Sequence, residues 1–429
     1  MRLSTAPAFR GRFTLPGDKS LSHRMALLGA MADGETRIGN YSTAADCEST
    51  LRCLEALGVE VQRDQRSVSV FGQGPGGLAA AAGPLDAGNS GSTLRMLAGV
   101  LAGRPFRSVI TGDASLCRRP AERVATPLRA MGARVETTAG RPPMSIEGGD
   151  LRGVTWDLTV PSAQVKTAVL LAGLQAEGTT TVREPLPSRD HTERLLPLFG
   201  VPLEITADSL SVRRQEALRP VSLDVPGDVS SAAFLVVAAL ILPDSEVRVD
   251  RVLLNPRRTA FLDVLRAMGA DLRTGVDEWT PEPVGWIEAR SSRLEGVRVA
   301  PEIVPGLIDE VPALAVAAAH ARGSFSVSGA SELRVKESDR ITALAEGLGR
   351  MGAAVDEHPD GFTVHGGRRL TGAAVNAQGD HRIAMALAVA ALAAEGDTDI
   401  EDAACASVSF PEFYDLLARG CEQGRHARG

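Results

Sequence analysis

The sequence predicts an α/β protein of two similar lobes, each made of three repeats of a strand–helix–strand–helix–strands unit. Three observations carry that expectation. A helix-ending pattern recurs at near-constant spacing, an apolar helix precedes its copies, and the tripeptide Pro-Gly-Asp occurs twice, dividing the chain into near-equal halves.

The repeat reads LEALGVEV at 54–61, LRAMGARV at 128–135, LLPLFGVPL at 195–203, LRAMGADL at 265–272 and LGRMGAAV at 348–355, with a weaker sixth copy at 414–420. The glycines Gly58, Gly132, Gly200, Gly269, Gly352 and Gly420 lie 74, 68, 69, 83 and 68 residues apart, giving six units of similar size. In each, glycine supplies the left-handed position that ends a helix, and the β-branched run after it supplies a strand. Apolar helices leading into Thr/Val/Ile-rich strands are expected within 25–38, 165–182, 313–327 and 383–400. Pro16-Gly17-Asp18 and Pro226-Gly227-Asp228 each precede a Ser-containing helix start, with three units between them and three after the second. One lobe is therefore expected at 16–226 and the other at 227–429, completed by the N-terminal strand of 1–15, with the two crossings as a hinge. A cleft closing about such a hinge expels water from reacting groups and is the expected substrate site.

Composition narrows the function. At 429 residues and 44% hydrophobic content the chain has material for a large core. A net charge of −7 argues against general binding of nucleic acid or anionic membrane, which needs excess cations, and 4% aromatics leaves little for base stacking. The longest apolar runs, 232–242 and 384–394, are short of the ~20 residues that cross a bilayer. Residues 1–12 hold no apolar secretory core, so the cytoplasm is the expected location. Five cysteines, odd in number and without a Cys-x-x-Cys pair, are expected to be free thiols. The stretch Gly72-Gln73-Gly74-Pro75-Gly76-Gly77 has dinucleotide-loop spacing, but Pro75 stiffens it and no long helix follows, so it reads as a hairpin loop.

Of 46 basic residues 43 are Arg and three are Lys: Lys19, Lys166 and Lys336. None follows a glycine, which excludes a P-loop. A Lys kept in an Arg-saturated chain is a candidate for proton transfer or close charge contact, because Arg is neither compact nor titratable. Lys19 opens a helix together with Ser20, Ser22 and Arg24, where free backbone N–H groups attract anions. Gly88 to Arg95 is a second small-residue turn into a helix, in which Gly91 allows a ligand close to the backbone. Arg119 precedes Pro120, which suits a first helical turn. Ser162, Ala163, Gln164 and Lys166 begin another helix, whereas Ser188 and Arg189 fit a surface cap equally well. Asp309 and Glu310 begin an apolar helix, where acids are ordinary favourable charges. Lys336 and Arg340, four apart, are expected to share a helical face with Glu337 beside them, a crowding of cations that points to an anion. Asp380-His381-Arg382 repeats the pattern of cations at helix starts. Helices pointing the same way would converge their positive dipole ends on the cleft, implying two anionic substrates.

Together the stretches PGDKSLSHR, AGNSGSTLR, GDASLCRRP, PSAQVKTA, LIDEVPALA, RVKESDR and GDHRIAMA, in this order across almost the whole chain, resemble the 3-phosphoshikimate 1-carboxyvinyltransferase (enolpyruvylshikimate-3-phosphate synthase) family. The resemblance implies the inside-out α/β barrel of enolpyruvyl transferases, two lobes of three βαβαββ units closing like jaws. It implies a shikimate-pathway transferase that moves the enolpyruvyl group of phosphoenolpyruvate to the 5-hydroxyl of shikimate 3-phosphate, without metal or cofactor, and a monomer is expected. Shikimate 3-phosphate would fall to Lys19, Ser20, Arg24, Ser162, Ala163, Gln164, Asp309 and Lys336, with Ser188 and Arg189 as further contacts. Phosphoenolpyruvate would be held by Lys19, Gly91, Arg119, Gln164, Arg340 and Arg382, with Gly91 resembling the tight spot that decides whether glyphosate fits. Asp309 is the expected base at the hydroxyl, and Glu337 and Lys19 the candidates for moving the proton at C3. The chain departs from familiar members at Val408, where many place Lys, at Glu332, where many have Asn, and at Arg189-Asp190-His191.

Two rivals are separable. The sister transferase acting on UDP-N-acetylglucosamine has Lys-Asn where this chain has Lys19-Ser20, and its loop cysteine lies several residues before the Arg-Pro pair, whereas Cys117 is only two before Arg119. A non-catalytic anion-binding scaffold has no use for Asp309, Glu337 and Lys19 together. Alanine at Lys19 or Arg340 is expected to abolish turnover with the fold intact.

Overall fold

The computed structural model describes residues 1–74 and 76–427; Pro75, part of the case against a dinucleotide loop, lies outside the described residues. The chain separates into two compact units, Gly17–Val225 and a discontinuous one formed by Met1–Pro16 with the chain from Pro226 onward.

In Gly17–Val225 three helices, Lys19–Met31, Gly91–Leu101 and Ala163–Gly173, are buried along most of their length. Small and aliphatic residues surround each axis, which is what a helix enclosed on all sides requires. Each starts on a side-chain cap: Asp18 accepts from the Leu21 N–H, Ser90 from Thr93 and Ser162 from Val165. The second and third helices approach closely at Gly99, where a Cβ would stand 2.1 Å from the Ala168 carbonyl oxygen.

Every buried helix lies on a mixed four-stranded sheet. The first sheet runs Ser222–Asp224, Asp33–Gly39, Ser67–Gln73, Glu60–Asp64, the first pair parallel and the rest antiparallel. Its register sets Thr36 opposite Val70 and Ile38 opposite Val68, so all four bury on one face. The same order recurs in Leu85–Asp86, Arg107–Thr111, Arg141–Glu147, Arg134–Thr138, and in Thr155–Asp157, Thr179–Arg183, Ser209–Arg213, Glu204–Ile205. Amphipathic helices such as Ala45–Ala56 and Glu122–Ala130 are only partly buried.

The discontinuous unit repeats the plan. Helices Val229–Ile241, Val311–His320 and His381–Leu392 pack on one another. Two sheets keep the four-strand order: Arg10–Thr14, Glu246–Leu253, Val284–Arg290, Asp271–Glu278, and Arg298–Val299, Ser324–Val327, Gly361–His365, Ala354–His358. The third has three strands, Ala374–Asn376, Asp397–Glu401 and the N-terminal Arg2–Ser4. The six sheets are separate, and none closes into a barrel among the described residues.

Five of the six repeat glycines have positive φ: Gly58, Gly132, Gly269 and Gly352 directly follow a helix C-cap, as a left-handed helix end requires, whereas Gly200 lies in a turn beyond the helix His191–Leu195. The sixth copy corrects the expectation. Gly420 lies inside the helix Phe413–His426, and a Cβ there would stand 2.1 Å from the Phe9 ring, so this glycine makes room for an aromatic rather than ending a helix. The stretch around Gly72 is not a hairpin loop either. The strand Ser67–Gln73 leads onward to Leu85–Asp86 of the next sheet, and Gly72 lets it pass the backbone oxygens of Gly29 and Ala32, each 2.3 Å from where a Cβ would be. All five cysteines are free thiols. No described helix is long and apolar enough to cross a membrane.

Gly99→Ala is expected to overpack the contact with Ala168 and lower the unfolding free energy by about 1–3 kcal/mol, read from the urea midpoint at unchanged slope.

Candidate active site

In Gly17–Val225 the starts of the buried helices meet through side chains. Arg24, buried one turn into its helix, donates to Ser20 O (2.8 Å), Thr192 Oγ1 (2.8 Å), Thr167 Oγ1 (3.0 Å) and Ala163 O (3.3 Å). One guanidinium thereby ties the Lys19 turn to the first turn of Ala163–Gly173 and to the short helix His191–Leu195, which directly follows Ser188 and Arg189. Gln164 accepts from Arg95 Nη1 at 2.7 Å and donates to Ser92 Oγ at 2.9 Å. Arg119 donates to Asn89 Oδ1 at 2.6 Å, and Asn89 in turn donates to Asp113 Oδ2 at 2.7 Å, which fixes the guanidinium's direction. Pro120 does not open the next helix as expected: that helix is Glu122–Ala130, started by Ala121, whose N–H bonds to Gly140 O.

Lys19 pairs with Asp46 at 2.8 Å. Asp46 was missed in the sequence, where its sole signal is an acid in the first turn of a helix, a common and unspecific feature. Behind Lys19, His23 Nδ1 bonds Thr50 Oγ1 (2.7 Å), Thr50 bonds Thr93 (2.7 Å), and Thr93 donates to the cap Ser90 (2.8 Å). Burial, with Lys19 and Arg24 nearby, holds the His23 pKa well below the ordinary range, so the imidazole is neutral. Lys166 belongs to a different kind of site. It is fully buried and divides its ammonium between Glu184 (2.8 Å) and Glu193 (2.6 Å), an internal ion triad that accounts for its retention structurally. Burial pushes the Glu193 carboxyl up, against the pull of Lys166.

In the discontinuous unit Asp309, Glu337, Arg340, Asp380 and Arg382 form one cluster. Arg340, 1% exposed, donates to Asp380 (2.8 Å), Glu337 (2.5 Å) and Asp309 (3.4 Å). Burial alone would lower its pKa, but Asp380, Glu337 and Asp309 outweigh that and raise it. Arg382 donates to Asp309 O at 2.8 Å and its Nε lies 3.7 Å from Asp309 Oδ1. Lys336 is held below the usual lysine range by burial and by Arg340, with Asp309, Glu337 and Glu332 pulling the other way.

Two expectations fail here. Lys336 and Arg340 do not share a helix face: the helix begins at Arg340 with Asp339 capping Ile341 and Thr342, and Lys336 closes the 3-10 turn Ser331–Val335. The crowding of cations is already answered by the protein's own carboxylates. Arg340 is also an internal ion rather than a pure anion contact, so its alanine variant is not expected to leave the fold intact.

Two units, each gathering cations and hydrogen-bond donors around the starts of three buried helices, define the enolpyruvyl-transferase fold class. The structure superposes on an enolpyruvyl transferase from Streptomyces tendae with a TM-score of 0.78 at 19% identity, covering 98% of this chain and 96% of that one, a likeness of fold alone. Against an EPSP synthase structure from Acinetobacter baumannii the TM-score is 0.86 at 42% identity over 98% of each chain. A 3-phosphoshikimate 1-carboxyvinyltransferase from Solibacter usitatus is 48% identical over 423 residues, 98% of this chain and 99% of the relative. The EPSP synthase (3-phosphoshikimate 1-carboxyvinyltransferase) family profile matches residues 4–417, and the chain belongs to that family.

Arg340→Ala is expected to take from three carboxylates the cation they share and cost about 3–5 kcal/mol of unfolding free energy, whereas Lys19→Ala, which removes the partner of a single carboxylate, is expected to cost less. Denaturant melts of the two variants check the contrast.

Proposed function

We infer that this protein transfers the carboxyvinyl group of phosphoenolpyruvate to the 5-hydroxyl of shikimate 3-phosphate with release of phosphate, in the shikimate pathway to aromatic amino acids. The observation that carries the reading is the family match along nearly the whole chain. Clusters of guanidinium, ammonium and carboxylate at the helix starts support it, because the reaction handles two anions and moves one proton at the hydroxyl oxygen and one at C3.

In this reading shikimate 3-phosphate takes Lys19, Ser20, Arg24, Ser162, Ala163, Gln164, Ser188, Arg189, Asp309 and Lys336, and phosphoenolpyruvate takes Lys19, Gly91, Arg119, Gln164, Arg340 and Arg382. Asp309 accepts the proton of the 5-hydroxyl as its oxygen bonds C2, while Glu337 or Lys19 delivers a proton to C3. The tetrahedral adduct then returns that proton and expels phosphate, whose growing charge Arg119, Arg340 and Lys19 offset. Each carboxylate in this set already faces a cation, so its orientation is fixed before substrate arrives. Five free thiols suit a reducing, cytoplasmic setting.

Phosphate release from phosphoenolpyruvate is expected only when shikimate 3-phosphate is added, and Lys19→Ala is expected to lower it by about 100-fold or more. Release that requires UDP-N-acetylglucosamine instead identifies the sister activity, and none with either acceptor identifies a scaffold. The Lys336 ammonium binds phosphate only while protonated, and its pKa is lowered, so affinity for shikimate 3-phosphate falls as pH rises through a value below the ordinary lysine range. The KM for shikimate 3-phosphate should therefore climb on an alkaline limb that Lys336→Met removes.

A further inference from the structure

Lys166 is one of three lysines among 46 basic residues, and no step of the reaction uses it. It lies one turn into the helix Ala163–Gly173, with its N–H bonded to Ser162 O at 3.0 Å, and it is 1% exposed. Its ammonium meets Glu184 Oε2 at 2.8 Å and Glu193 Oε1 at 2.6 Å. Glu184 directly follows the strand Thr179–Arg183, and its N–H bonds Asp208 O at 2.8 Å. Glu193 belongs to the short helix His191–Leu195, whose Thr192 hydroxyl also bonds Thr167 Oγ1 at 2.6 Å. The chain between that strand and that helix, residues 184–190, is irregular and carries the buried Ser188 and the half-buried Arg189. One ammonium thus pins both ends of the irregular segment to the helix that Ser162 caps and Ala163 and Gln164 begin.

Stability does not account for this arrangement. Taking an ammonium and two carboxylates out of water is costly, and well-packed apolar side chains of the same volume serve a core as well or better. Glu193 Oε2 is moreover buried without a hydrogen-bond partner among the described residues, which adds to that cost. We propose that Lys166, through Glu184 and Glu193, is a positioning residue for the shikimate 3-phosphate half of the site. It holds the segment 184–190 to the helix Ala163–Gly173, so that Ser188 and Arg189 are in place with Ser162, Ala163 and Gln164 before substrate arrives. The proposal rests on the substrate reading above. With a tie cut, the substrate has to order the segment itself, which weakens binding without disturbing the reacting atoms.

The test cuts one tie in the full-length enzyme. Glu184→Met frees the strand end of the segment and leaves Lys166 and Glu193 as a one-to-one pair. The KM for shikimate 3-phosphate is expected to rise by about tenfold, the order set by immobilising two side chains on binding, with kcat and the KM for phosphoenolpyruvate within about twofold of wild type. Glu184→Gln, which exchanges the ionic bond for a neutral one, is expected to give a smaller rise, about threefold. In a Ser188→Ala/Arg189→Ala background Glu184→Met is expected to add less than about twofold. An unchanged KM for shikimate 3-phosphate in Glu184→Met, an equal rise in both KM values, or independent, multiplying effects in that background would overturn the proposal. Should Glu184→Met fail to fold, Glu184→Gln decides by hydrogen exchange: faster exchange among the amides of 184–192 alone supports the proposal, and unchanged exchange there refutes it. Wild-type enzyme lacking turnover with both substrates would refute the substrate reading instead, while the exchange comparison still decides whether the triad holds the segment.

Discussion

Charge compensation at the starts of buried helices is the constraint on which the rest of this structure depends. A helix enclosed on every side must still satisfy its first N–H groups, and it presents a positive end to its surroundings. Asp18, Ser90, Ser162, Asp228 and Asp380 cap five of the six. Around those caps the protein places cations and answers them with Asp46, Glu337 and Asp309, and with the second oxygen of the cap Asp380. The result is a set of charges already oriented and already paired within the protein.

The two units meet this constraint differently. In Gly17–Val225 the links between helix starts are mostly neutral: hydroxyls of Thr50, Thr93, Thr167 and Thr192, a neutral His23, and backbone oxygens around Arg24. In the discontinuous unit they are ionic, with Arg340 among three carboxylates and Ser230 bonded to Glu310 beside a buried Arg258. Neutral links tolerate the loss of one partner better than buried ion clusters do, because removing one ion leaves others uncompensated in a poorly hydrated site. Arginine saturation fits this division, since a planar fork reaches several acceptors at once as Arg24, Arg95 and Arg340 do. Of the three lysines, Lys166 is a structural ion, Lys19 pairs with Asp46 in one unit, and Lys336 lies near Asp309, Glu337 and Arg340 in the other.

Much of the fold was legible because its signals are local. Gly58, Gly132, Gly269 and Gly352 end helices where the repeat placed them, and the apolar stretches near 25, 165, 313 and 383 are four of the buried helices. The failures have physical causes. Gly420 has the repeat's residue type without its conformation, since close packing on Phe9 also demands glycine. The face shared by Lys336 and Arg340 was drawn by spacing, but Asp339 starts the helix between them.

By itself the sequence determined the periodic elements, the helix-start motifs and, through their order, the family, because these depend on residues within a few turns of one another. Only the tertiary structure decided which charges are partners. Asp46 finds Lys19 across 27 positions, Glu184 finds Lys166 across 18, and Arg340 joins Asp309 and Asp380 across 31 and 40. Coulombic pairing depends on distance in space and on exclusion of water, and neither is written in residue spacing.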